Sequence, residues 1–191
     1  GQHRSKAFAT LNITSGSTYT IPNVHVKEVE NIGAYLVDIN GIGTSWNQKD
    51  RVTVAALTTN DELFTNVAEL LDEGFNQSTA MLIFTGKKLS NGQINRALKG
   101  EEVTLPKDAQ INIERGHRFV TLCKAASIEV QFITKRYFID GFNSYATATN
   151  EETAFEALAK LKDLKLTEAR LKEIKGNDDF ICLLKKALQA A

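Results

Sequence analysis

Trp46 is followed closely by Lys49 and Arg51, Phe84 runs into Lys87 and Lys88, Arg118 precedes Phe119, and Lys135–Arg136–Tyr137–Phe138 interleaves cations with rings. Cations and aromatic side chains alternating in this way are the equipment of non-sequence-specific single-strand binding. Every nucleotide offers a phosphate to a cation and every base offers a π-face to a ring. On this reading Arg51, Lys87, Lys88, Arg96, Arg118 and Arg136 pair with phosphates, while Trp46 and Tyr137 stack on bases. Phe84, Phe119 and Phe138 fit core packing better, since burying a ring is the commoner use of it.

Other chemistry finds less to work with. His3, His25 and His117 are dispersed, and neither a CxxC nor an HxxxH spacing occurs, so the metal expectation is none. Cys123 and His117 could be posed as a nucleophilic pair, but a buried structural cysteine is the stronger reading. Gly41–Ile42–Gly43 lacks the third glycine of a dinucleotide fingerprint, and Gly86–Lys87–Lys88 lacks the rest of a P-loop. Asp38, Asp50 and Asp140 have no partner carboxylate in sequence. The expectation is therefore no catalytic residue, no cofactor and no enzyme.

The chain has 191 residues, 42% hydrophobic and 24% charged, with 23 Lys+Arg against 23 Asp+Glu. Zero net charge argues against a histone-like polycation, yet the charges are segregated. Val52–Gly86 holds five acidic residues and no basic one, and Lys87–Lys99 holds four basic residues and no acidic one. No window approaches the roughly 20 apolar residues of a membrane span, so no membrane partner is expected. Cys123 and Cys182 read as free thiols, which points to a reducing cytoplasm.

The elements that would hold these residues read mainly as strands. Residues 7–14, 18–30, 34–39, 52–57, 80–84, 109–113, 118–123 and 128–139 are β candidates from their β-branched and apolar content. Between the fourth and fifth lies Asp61–Phe75, where Leu63, Phe64, Val67, Leu70 and Leu71 take a helical period and Gly74 offers a stop. Ser144–Asn150 reads as a linker. Beyond it, Glu151–Lys162, Thr167–Lys175 and Asp178–Ala190 read as three short helices with caps at Asn150 and Asn177.

Strand, strand, strand, helix, strand is the order of the OB fold, and RVTVAAL…VAELLDEG…AMLIFTGK resembles the matching piece of bacterial and phage-type single-stranded DNA-binding proteins. The resemblance implies a mainly β body with some α, an OB-like barrel over residues 7–146 with one inserted helix, and a helical appendage over 150–191. It implies a non-catalytic, largely sequence-independent single-stranded nucleic-acid-binding protein, of the kind used in viral or mobile-element replication. The competing expectation is a viral structural or assembly protein, a virion or tail component, in which the helices dock a neighbour and a homo-oligomer forms.

Overall fold

The computed structural model describes residues 2–16, 18, 20, 28–40, 47–59, 61–87, 89–99, 101, 105, 107 and 109–190. Among these residues there is no strand. The elements are α1 (Gln2–Ser15), α2 (Ile32–Asn40), α3 (Gln48–Thr59), α4 (Glu62–Asp72), α5 (Gln77–Thr85) and α6 (Asn91–Leu98). They continue with α7 (Ile113–Ala125), α8 (Val130–Ile133), α9 (Arg136–Ala148), α10 (Glu151–Lys160), a 3-10 turn (Leu161–Leu164), α11 (Glu168–Glu173) and α12 (Asn177–Gln189). The OB-like barrel is overturned: the expected strands at 7–14, 34–39, 52–57, 80–84, 118–123 and 128–139 lie in helices or their turns, 109–112 is irregular, and most of 18–30 lies outside the described residues.

The reasons are local and physical. Val52–Leu57 is rich in β-branched residues, but it sits inside a helix that opens with reciprocal capping. The Asp50 amide donates to Asn47 Oδ1 at 2.9 Å, and the Asn47 amide donates to Asp50 Oδ2 at 3.0 Å. Val52 and Ala55, one turn apart, are both fully buried, as a helical face requires. At the other end Thr58 and Thr59 return their hydroxyls to the carbonyls of Val54 and Ala55. Tertiary packing of that face outweighs the strand propensity of the valines.

Ala80–Phe84 is a continuous apolar run, and such a run suits a buried helix as well as a buried strand. Its flanks decide the matter. Asn76 Oδ1 accepts from the Thr79 amide at 2.9 Å, and Gly86 closes the helix in the left-handed region at φ 68°. Gly86 is thus a C-cap rather than the exit of a strand into a basic hairpin. Asn112 likewise caps α7 through the Arg115 amide at 2.9 Å, which converts the expected strand Arg118–Cys123 into a helix. The stretch expected as strand 128–139 becomes α8, a turn and the start of α9. α9 also runs through most of the segment expected as a linker, up to Ala148. The helices expected at 61–75 and beyond Asn150 are present.

Two compact units emerge, Gly1–Glu30 and Asn31–Ala191. In the first, α1 leaves Leu11 and Ile13 exposed, and Thr14 and Ser15 bond back to carbonyls of the preceding turn. In the second, α5 is the centre. All of its residues except Ser78 are buried, and it packs on α4, α7 and α9. A helix apolar on every side belongs in such a place. On one flank α3 packs on α4 and α6, and α2 on α3 and α6; on the other, α10 and α12 pack against α9. Rings weld the second flank. Phe119 and Phe142 lie 5.2 Å apart, Phe142 and Phe155 4.9 Å, and Phe138 and Phe180 4.6 Å, and all five are buried.

Candidate functional site

The residues chosen from the sequence divide into three groups. Arg51, in the first turns of α3, donates from Nη1 to Asn95 Oδ1 of α6 at 2.6 Å. That bond ties α3 to α6, on which Arg96, in the last turn, and Lys99, at the C-cap, are exposed. α6 itself is well founded: Ser90 Oγ accepts from the Gln93 amide, and the Gln93 side chain accepts in turn from the Ser90 amide. Lys87 is exposed just after Gly86, at the end of α5. The side chains of Lys87, Arg96 and Lys99 enter no ion pair or hydrogen bond among the described residues.

The second group is engaged inside the protein. Arg118 meets Glu152 through two parallel bonds of 3.1 and 3.2 Å, and its guanidinium lies 4.0 Å from the centre of the Phe155 ring. The bond from Arg118 holds the Glu152 carboxyl below its ordinary range, and the same bond raises Arg118. Arg136 Nε is held by Asp140 Oδ2 at 2.8 Å, one turn on along α9. Tyr137 is half-buried and stacked on Phe138, with centroids 5.4 Å apart; burial, then the charge of Asp179, push its phenol up. Trp46 and Lys88 form the third group and lie outside the described residues.

The posed Cys123–His117 pair does not form. Both residues are on α7, but Cys123 is fully buried and burial pushes its thiol up, away from the reactive thiolate. His117 Nε2 instead shares a 2.5 Å hydrogen bond with Asn66 Oδ1 of α4, and its ring lies edge-on to Phe84 at 5.2 Å. Cys123 and Cys182 are both free thiols. No helix among the described residues is long and apolar enough to cross a membrane.

A cleft of about 590 Å³ opens where the end of α5, the start of α7, the end of α9 and the start of α10 meet. Its lining is chiefly polar: Ile83, Phe84 and Thr85 are buried at its edge, Gln110, Asn112 and Asn143 bring neutral amides, and the hydroxyls of Thr85 and Thr147 are already bonded to the carbonyls of Met81 and Asn143. Arg115 and Glu151 form one wall, joined from Nε to Oε1 at 2.5 Å and from Nη2 to Oε2 at 3.3 Å. The Arg115 guanidinium also lies 5.1 Å from the Phe142 ring centre.

Local sequence builds that cleft. Gln110 and Asn112 donate backbone N–H groups to the carbonyls of Thr85 and Phe84, at 3.2 and 2.8 Å, closing the C-terminus of α5 with the chain that enters α7. Gly116 lets α7 lie directly against α5, since a Cβ there would come within 2.3 Å of Phe84 Cδ1. Asn143 Oδ1 is buried without a hydrogen-bond partner among the described residues, a state that costs about 1–3 kcal/mol for an amide group.

No family model, curated protein or solved structure matches this chain.

Sequence reasoning passed over Arg115, Asn143 and Glu151. The signal was present once α7 is taken as a helix. Arg115 and Arg118 are then three apart on one face, and Asn150–Glu151–Glu152 is a capped helix start carrying the two matching carboxylates.

Proposed function

We propose that the chain is a non-catalytic, largely sequence-independent single-stranded nucleic-acid-binding protein with a helical rather than a barrel scaffold. The observation that supports this is the cationic face of α6. Arg96 and Lys99 are exposed there and meet no carboxylate among the described residues. Cations held on a rigid helix and left unneutralised are what a phosphate backbone requires, because each contact releases condensed counterions. Two free thiols fit a reducing cytoplasm as the place of action.

Fluorescence anisotropy of a labelled oligothymidine at low salt tests the reading. The expected result is binding that weakens steeply as salt rises and changes little with base composition. Absence of binding at tens of micromolar protein would overturn it. The assembly reading then takes its place, favoured by one specific observation: Leu57 is 80% exposed and Ile32 54% exposed on the larger unit. Light scattering would show that reading as an oligomer of defined mass.

A further inference from the structure

We infer that Ser90 is a phosphorylation site for a serine kinase that reads a preceding cation, and that the phosphate weakens strand binding at α6. The inference rests on the single-strand reading above and adds its regulation.

Three hydroxyl residues stand three places after a cation: Ser90 after Lys87, Thr121 after Arg118 and Ser127 after Lys124. A kinase that selects its substrate by charge needs that cation unpaired and the hydroxyl on an extended segment that can lie along its cleft. Arg118 is held by Glu152, and Thr121 lies inside α7. Lys124 is held by Glu73 at 2.7 Å, and Ser127 is in the left-handed region at φ 59°. Only Ser90 meets both demands. It is exposed on an extended backbone, at φ −80° and ψ 156°, in the connection between α5 and α6. Lys87 is exposed and meets no carboxylate among the described residues.

In the transfer, Ser90 Oγ forms a bond to the γ-phosphorus of a nucleoside triphosphate while the bridging β–γ bond breaks. The nucleoside diphosphate leaves, and the hydroxyl proton passes to the kinase's carboxylate base. The new charge falls where the cations act. From Gly74 to Gly100 there is no acidic residue, while Lys87, Lys88, Arg96 and Lys99 are basic. A phosphoserine brings a charge of about −1.5 to −2 at pH 7, roughly half of what those four cations supply. Ser90 Oγ already accepts from the Gln93 amide at 3.3 Å, and a phosphate oxygen at the same N-cap can take that bond over. The helix therefore stays folded while its surface repels a phosphate backbone.

Treating the full chain with ATP and the catalytic subunit of a basic-directed serine kinase tests this. Tandem mass spectrometry should place one phosphate, at Ser90. The modified chain should bind a labelled oligothymidine about tenfold more weakly at low salt, with a shallower salt slope. Ser90→Asn and Ser90→Asp separate charge from capping, because both residues are good N-caps and let α6 begin. Ser90→Asn should take up no phosphate and bind as the unaltered chain does, whereas Ser90→Asp should bind more weakly. Phosphate at Thr121 or Ser127 in place of Ser90, or no phosphate at all, would overturn the site. Phosphorylated Ser90 with affinity and slope unchanged would overturn the regulation. An unmodified chain that binds no oligothymidine would overturn the single-strand reading and the regulation with it, while the mass spectra still decide the site.

Discussion

Arginines occur on two faces of the larger unit, and their neighbours give them opposite roles. On α7, Arg115 and Arg118 each meet a glutamate at the start of α10 through two bonds, and each guanidinium lies over a phenylalanine ring. On α6, Arg96 stands exposed and meets no carboxylate among the described residues. The first face fastens helix to helix. The second stands exposed to solvent. A cation's role here follows from whether a helix N-terminus carrying carboxylates happens to face it.

The comparison breaks first at its aromatic foundation. Phe142 is fully buried, touches Phe119 and Phe155, and carries Arg115 over its face. Phe142→Ala should cost about 3–5 kcal/mol, seen as a lowered urea midpoint. If the loss is below about 1 kcal/mol, the fastened face is not where this fold holds itself together.

Binding sharpens it next. Reversing the charge of Arg96 and Lys99 together should lower oligonucleotide affinity at every base composition and reduce the salt slope by about 1 for each phosphate contact removed. Arg118→Ala should leave both affinity and slope nearly unchanged, because its guanidinium is already committed to Glu152. Anisotropy titrations across a salt series read both variants. A larger effect from Arg118 than from the α6 pair would invert the assignment of the two faces.

How much of this was legible in the sequence depended on whether a local signal had a single meaning. Asp61 and Asn150 opened helices that the apolar period also supported, so α4 and α10 could be read directly. Val52–Leu57 and Ala80–Phe84 could not, because β-branched and continuous apolar runs suit a buried helix equally when the caps lie outside the run. Asn47–Asp50 and Asn76 were those caps, and as turn-forming residues they also suited loops between strands. The site followed the fold. Arg96 was found by type alone and stands exposed, whereas Arg118 and Arg136, equally good by type, each meet a carboxylate, Glu152 at the start of α10 and Asp140 one turn on along α9. The cleft was invisible, since its walls come from four helices distant in sequence and its groups are mostly uncharged.

The smallest effect separates the two faces by titration alone. The hydrogen bond from Arg118, and after it the charge of Arg118, hold the Glu152 carboxyl below its ordinary value. A carboxyl whose folded-state pKa is depressed stabilises the protein at pH values above its unfolded pKa, about 4.3 for glutamate. That contribution is lost progressively as pH falls through the unfolded value and then through the lower folded one. Carbon-detected NMR should therefore show the Glu152 carboxyl titrating below the usual glutamate value, and Arg118→Ala should raise it. Reversing charge at Arg96 should leave that resonance where it is, because α6 packs on α2 and α3 whereas Arg118 and Glu152 pair between α7 and α10. If Glu152 titrates normally in the unaltered chain, the Arg118 bond is too loosely held in solution to neutralise the cation. Arg118 would then belong with Arg96 on the list of residues open to phosphate.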